Sequence, residues 1–234
     1  MIKVNLNDLY LSLMDNNKNI KVLEEKIKNC RLCPRLVAWR EEVARLKRRA
    51  YLGWDYWGKP IPGFGDVNGR VMIIGLAPGA HGSNRTGRMF TGDASGDFLY
   101  PALFRAGFAS QSKSESVNDG FTLNDLFISA LCRCVPPGNK PDIVEMDNCQ
   151  PYLEREISLI RPQVFVVLGR IAFDRIIRIL SLQSKKLIFS HGASYSLDEN
   201  HTLICSYHPS RQNTQTGRLT LEMFDQIWTI ARQL

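Results

Sequence analysis

The chain has 234 residues, enough for one well-cored domain, and its 44% hydrophobic and 23% charged content is that of an ordinary globular protein. Thirty Lys and Arg against 23 Asp and Glu give a net charge of +7, an excess that favours polyanionic partners. No apolar run approaches a membrane span, the N-terminal stretch lacks a signal peptide's apolar core, and six cysteines without such a signal argue against a disulfide framework, so a cytoplasmic protein is expected.

Residues 19–29 and 35–49 read as two helices joined by the turn CRLCP, with Leu36, Val37, Trp39, Val43, Ala44 and Leu46 forming the apolar stripe of the second. Its end carries the densest basic run, Arg45 to Arg49, followed by Tyr51, Trp54, Tyr56 and Trp57. That interleaving suits a surface that touches a phosphate backbone. Five glycines and two prolines make residues 52–69 an extended loop. Val71–Ile74 is a continuous apolar run, as expected of a buried parallel strand. It opens into GLAPGAHGSNRTGRMFTGD, Gly75 to Asp93, which looks like a catalytic loop leaving a strand. A helix follows near 96–107, then a polar stretch from Ser110 to Gly120 that reads as a mobile surface loop.

A second strand near Leu126–Leu131 leads into CRCVPPGNKP, whose prolines forbid regular structure. Residues 142–160 are helical in pattern, with Pro151 expected to kink or break the run. Val164–Leu168 is a third strand, Ile171–Leu180 a helix, and Leu203–Ser206 a fourth strand ending in YHPSRQNTQTG. The last helix starts near Thr220, a suitable N-cap, and places Leu221, Phe224, Ile227, Trp228, Ala231 and Leu234 on one face. Strands alternating with helices imply a parallel sheet covered on both sides. Active sites of such folds lie outside the carboxyl ends of the strands, so GLAPG, CRCVPPGN and SYHPS are expected to converge.

The segment Gly82 to Met89 comes close to a phosphate-binding loop, but arginine replaces the lysine and methionine replaces the magnesium-binding hydroxyl, so nucleotide hydrolysis is disfavoured. The cysteines are more telling. Cys30 and Cys33 form C-x2-C, and after 100 residues Cys134 and Cys149 form C-x14-C, a spacing that suggests a thiolate-ligated metal centre. Spacing alone leaves zinc and an iron–sulfur cluster both open, with free thiols a third reading. Cys132 and Cys205 lie in apolar segments and read as small buried hydrophobes.

Taken together, GLAPGAHGSNRTGRMFTGD, SYHPSRQNTQTGRLT, CRLCP, YWGKPIPGFGD and CVPPGNKP, in that company of cysteines, resemble the family 5 (type B) uracil-DNA glycosylases over nearly the whole chain. The resemblance implies a single domain over residues 1–234, built as a three-layer α/β/α sandwich on a central four-stranded parallel sheet. Its N-terminal helical segment would carry the first cluster cysteines. It implies removal of uracil, and of other deaminated bases such as hypoxanthine and xanthine, from DNA by base flipping. A 4Fe-4S cluster would be held by Cys30, Cys33, Cys134 and Cys149. Cys134 is preferred to Cys132 because it precedes Val-Pro-Pro as the family's ligand precedes its Pro-Pro.

By the same resemblance, Asp93 orients or activates water or stabilises the sugar cation, His208 donates a hydrogen bond to the leaving base, and Asn139 positions water or substrate. Ala77, Gly79, Phe90 and Ala130 fall at base-binding positions, with Phe90 stacking on the flipped base. Ala77 stands where many relatives place a polar catalytic group, and Ala130 where uracil-specific ones offer an asparagine. Gln212 takes the wedge position, and Arg211 and Arg218 serve the phosphates. A monomer acting on DNA, away from membranes, is expected. Two other readings are a family 4 enzyme, disfavoured by Leu76 where that family carries an acidic residue, and a non-catalytic iron–sulfur module that binds DNA.

Overall fold

The structure, a computed structural model, describes the backbone from residue 6 and side chains from residue 16 onward. The opening of the N-terminal stretch, on which the absence of an apolar leader was read, lies outside the described residues. Among the described residues no helix is long and apolar enough to cross a membrane.

Six strands form one mixed sheet in the order β1-β3-β2-β4-β6-β5. They are β1 (Phe64–Gly65), β2 (Val71–Gly75), β3 (Leu126–Ala130), β4 (Val164–Leu168), β5 (Ser194–Ser196) and β6 (Thr202–Ser206). The four strands read from the sequence, β3, β2, β4 and β6, pair in parallel. The expected four-stranded parallel sheet is thus corrected to a six-stranded mixed one, because β1 and β5 add antiparallel edges. Both additions are too short, and too exposed or glycine-bearing, to show an alternating pattern.

The apolar runs form central strands because both of their faces are covered. Val71, Ile73, Leu126, Ile128, Val164, Val166 and Ile204 face one core, shared with α4 (Ala94–Arg105) and α8 (Leu221–Gln233). Met72, Ile74, Phe127, Phe165, Val167, Leu203 and Cys205 face the other, shared with α1 (Leu6–Lys28), α5 (Ile143–Ile160) and α6 (Arg170–Ile179). A period of two along each strand therefore yields three layers. The helix after β2 packs on one face and the helix after β4 on the other, although these strands are neighbours. A crevice opens at such a switch point, outside the strands' carboxyl ends.

Local signals set the helix starts. Asp142 and Glu145 form a reciprocal capping box at α5, and the Thr220 hydroxyl accepts from Met223 N–H at α8. Pro151 neither breaks nor ends α5. It sits on the exposed side, while Cys149, Leu153, Glu156, Leu159 and Ile160 bury the opposite face, so one lost hydrogen bond is outweighed by packing. Nor does the 110–120 segment stand free. Asp119 accepts from Arg88 Nη2 at 2.6 Å and from the backbone of Glu115, Ser116 and Phe121. The Arg88 guanidinium also lies 5.1 Å from the rings of Phe64 and Phe121.

Candidate active site

Gly75 ends β2 and Gly169 follows the end of β4, so two neighbouring strands finish in glycines at the crevice. A Cβ on Gly75 would lie 3.0 Å from the Phe90 ring, and one on Gly169 would lie 3.6 Å from the His208 Cβ. The Phe90 and His208 rings have centroids 6.0 Å apart and planes inclined by 31°. Phe90 reaches this place with φ of +52°, a left-handed conformation that a bulky residue rarely adopts. Its carbonyl lies so close to Gly96, in the first turn of α4, that no side chain fits there.

Asp93 caps α4. Its Oδ1 accepts from Ser95 N–H at 3.0 Å and Gly96 N–H at 3.2 Å, which leaves Oδ2 toward the loop carrying Gly79 and Gly82. Both glycines press on that oxygen, since added Cβ atoms would fall 2.6 Å and 2.0 Å from it. Burial raises the carboxyl above its usual range, opposed by the two backbone donors and by the charge of Arg85. The same carboxylate is thus helix cap and candidate catalytic group.

His208 follows β6, and its carbonyl accepts from Asn213 Nδ2 at 2.9 Å. Burial in the crevice pushes the imidazole down to about 4, so it is neutral at physiological pH and can donate one N–H without bringing a charge. Next to it, Tyr207 N–H donates to His191 Nδ1 at 3.1 Å, and its ring is stacked by His191 and covered by the Arg218 guanidinium 4.7 Å away. Arg211 and Gln212 are exposed on the short helix α7 (Arg211–Gln215), which Ser210 caps.

GLAPG and SYHPS therefore converge at the crevice, and CRCVPPGN starts beside GLAPG. Leu131 and Cys132 still pair with Gly75 and Leu76, but Asn139 is exposed in a left-handed turn. No hydrogen bond among the described residues joins it to Asp93 or His208. Ala130 is buried beside Gly75 and packs into the core that Phe90 covers, while Ala77 and Gly79 stay partly accessible.

Cys33 caps α2 (Pro34–Leu46), and Cys30, Cys33, Cys134 and Cys149 line one cavity with Leu36, Arg40 and Arg133. Cys132 does not line it, being wholly buried against the sheet. Arg40 Nη1 donates to Cys134 Sγ at 2.9 Å, and Asn148 Nδ2 to Cys33 Sγ at 3.4 Å. Arg40 Nε and Arg133 Nε and Nη1 are buried with no acceptor in the protein. A cavity walled by four thiols and by unspent guanidinium donors has the chemistry of a site for an anionic, thiolate-ligated group. Among the described residues, no three His, Cys, Asp or Glu side chains gather so as to hold a single metal ion.

Several residues of the site escaped the sequence reading. Arg85, Asn84 and Arg88 of the glycine-rich stretch are nearly fully buried rather than solvated. Tyr51, Trp54 and Tyr56 turn onto that stretch, by the Arg85 guanidinium and by a 3.0 Å hydrogen bond from Tyr56 to His81. Only the density of aromatics beside basic residues hinted at this, and it pointed outward.

The sequence profile of the Uracil DNA glycosylase superfamily matches residues 62–232. A Type-5 uracil-DNA glycosylase from Thermus thermophilus is 51% identical over 88% of this chain and 93% of its own. One from Mycobacterium leprae is 48% identical, over 92% and 96% of the two chains. A third, from Pyrobaculum aerophilum, is 43% identical over 86% and 87%.

Proposed function

Because this chain belongs to the uracil-DNA glycosylase superfamily and is a repair enzyme that hydrolyses the N-glycosyl bond of uracil in DNA, we propose that the crevice at β2 and β4 is where that bond breaks. The observation that carries the reading is the meeting of Phe90, His208 and the Asp93 cap at one switch point. The reaction loads positive charge on the sugar and negative charge on the departing base, as in other glycosyl transfers. Phe90 offers a flat wall for an extruded base. His208, held neutral, donates to the developing base anion, and a donor fixed in advance costs nothing to reorganise at the moment of cleavage. Asp93, in its carboxylate form, would face the cationic sugar and the attacking water. Asn139 is retained as a positioning group brought in by bound DNA. Exposed Arg211 and Gln212 would meet the strand, with Arg218 nearby on Tyr207.

The range of bases is proposed to extend to hypoxanthine and xanthine, since neither Ala77 nor Ala130 provides an amide to select the uracil edge. The family 4 pattern fits less well, because Leu76 packs into an apolar core where that pattern has an acidic side chain. The cysteine cavity is proposed to hold a 4Fe-4S cluster on Cys30, Cys33, Cys134 and Cys149. Such a group is redox-capable, but hydrolysis needs only its cross-linking of distant segments. Arg40 and Arg133 would donate to its sulfurs.

The test is single-turnover excision from oligonucleotides carrying uracil, hypoxanthine or xanthine, with alkali cleavage of the abasic product. Asp93→Asn is expected to slow every base alike. His208→Ala should cost on the order of a hundredfold, by an amount that depends on the base. Near-wild-type rates for Asp93→Asn would sink its role.

A further inference from the structure

Arg85 lies in the glycine-rich loop, 4% exposed, yet among the described residues it pairs with no carboxylate in the way a buried arginine usually does. It is spent on main-chain carbonyls: Nε donates to His81 at 2.8 Å and Nη2 to Gly92 at 3.0 Å. These carbonyls flank the catalytic carboxylate. His81 lies between Gly79 and Gly82, which press on Asp93 Oδ2, and Gly92 immediately precedes Asp93. The approach is close enough that a Cβ on Gly92 would lie 2.3 Å from Arg85 Nη2. Gly92 also has φ of +80°, so glycine is required there twice over.

The guanidinium is itself gripped. Tyr51 and Trp54 each place a ring 4.0 Å from its carbon, an aromatic clamp on a planar cation. Both rings belong to the segment that follows the exposed basic run Arg45, Arg48 and Arg49. The segment is further bound to the loop by Trp57 N–H on the Arg85 carbonyl, Gly58 N–H on the Asn84 carbonyl and Tyr56 on His81.

We propose that Arg85, clamped between Tyr51 and Trp54, is a positioning residue that fixes Asp93 by tying the His81 and Gly92 carbonyls together. Tyr51 and Trp54 are then part of the catalytic scaffold and not a stacking surface for DNA. The proposal rests on Asp93 being the catalytic carboxylate. A lysine keeps the charge but cannot fork to two carbonyls between two rings, so Arg85→Lys separates geometry from charge.

The experiment is single-turnover excision of uracil from duplex DNA by wild type, Arg85→Lys, Asp93→Asn and the double variant, with duplex affinity measured in parallel. Arg85→Lys should lose about 30- to 100-fold in rate, the order expected for misplacing a reacting group by about 1 Å, with affinity within about threefold. In the Asp93→Asn background the same change should cost less than about threefold, since there is no carboxylate left to place. Equal losses in both backgrounds would overturn the proposal while leaving Asp93 catalytic. A fast Asp93→Asn would overturn the Asp93 reading itself. Should Arg85→Lys fail to fold, Trp54→Leu, at a ring 37% exposed, removes half of the clamp. A slower rate at unchanged affinity supports the proposal, and a wild-type rate overturns it.

Discussion

Gly82→Ala isolates the placement of Asp93 with a single methyl group. The new carbon would fall 2.0 Å from Asp93 Oδ2, 2.6 Å from Cγ and 2.8 Å from Cβ, so no rotation of the carboxylate relieves the contact. To reach the 3.4 Å of ordinary contact the carboxylate must retreat by about 1.4 Å. Its retreat is resisted by the Ser95 and Gly96 donors behind it. A displacement of about 1 Å in a reacting group costs on the order of a hundredfold, so a loss of about a hundredfold or more in single-turnover rate is expected, with duplex affinity nearly intact. Gly79→Ala is the control: its carbon would meet Oδ2 at 2.6 Å but Cγ only at 3.7 Å, which a turn of the carboxylate can relieve, and about tenfold is expected. The assay is alkali-revealed excision at saturating enzyme, with melting temperature measured on each variant. A Gly82→Ala enzyme within about threefold of wild type, or one faster than Gly79→Ala, would refute the placement of Asp93.

Replacing Cys134 with alanine should abolish brown colour, iron and sulfide in the purified protein, and replacing Cys132 should not; elemental analysis decides, and the opposite result moves the third ligand to Cys132. Asp119→Ala leaves Arg88 buried without its partner and should cost about 3 kcal/mol, seen as a fall of roughly 6–12 °C in Tm. Burial alone would raise the Asp119 carboxyl, but Arg88 and three backbone donors hold it well below the usual range. Its stabilisation is therefore present above the unfolded pKa of about 3.9 and lost as pH falls toward the folded value, so the Tm gap between wild type and variant should narrow in acid. With His208 neutral and Asp93 raised, excision should fall on acidification as Asp93 takes up its proton, a limb above the usual carboxylate range that persists in His208→Ala and is lost in Asp93→Asn; a limb that vanished with His208 instead would contradict it. Charge reversal at Arg48 and Arg49 should weaken DNA binding whatever the base and flatten its salt dependence; unchanged affinity at low salt would leave that run a solvated face.

The four parallel strands were legible because each is apolar on both faces, a pattern left by burial between two helical layers. The edge strands were not, since Phe64–Gly65 and Ser194–Ser196 owe their pairing to β3 and β6 and carry no pattern of their own. Asp93 as a cap was legible from its place before a helical run. Its glycine enclosure was not, because Gly79 and Gly82 look like flexible turn residues until the distances to Oδ2 are known. The aromatics after the basic run were legible only in part, for a related reason. Sequence shows a tyrosine beside an arginine, but not that Tyr51 and Trp54 face Arg85, more than thirty positions on, and not the Arg48 and Arg49 next to them. Asn139 was legible as a turn residue, since asparagine is one of the few side chains that adopts the left-handed conformation it has here.

The Phe90 ring and the His208 Cβ each stand against a glycine at the end of the sheet. Gly75 ends β2 and Gly169 follows β4, so the spacing of these two supports is gauged by the hydrogen-bonded interval of a parallel sheet, close to 4.8 Å per strand. A ruler of this sort does not drift. Substitutions around the rim can alter which edge of a heterocycle is read, but the aperture is inherited with the sheet. Widening it to admit a bulkier adduct would mean prising apart β2 and β4, whose residues are almost entirely out of contact with water. Changes in what such a site accepts are therefore expected to come from its loops and not from its strands.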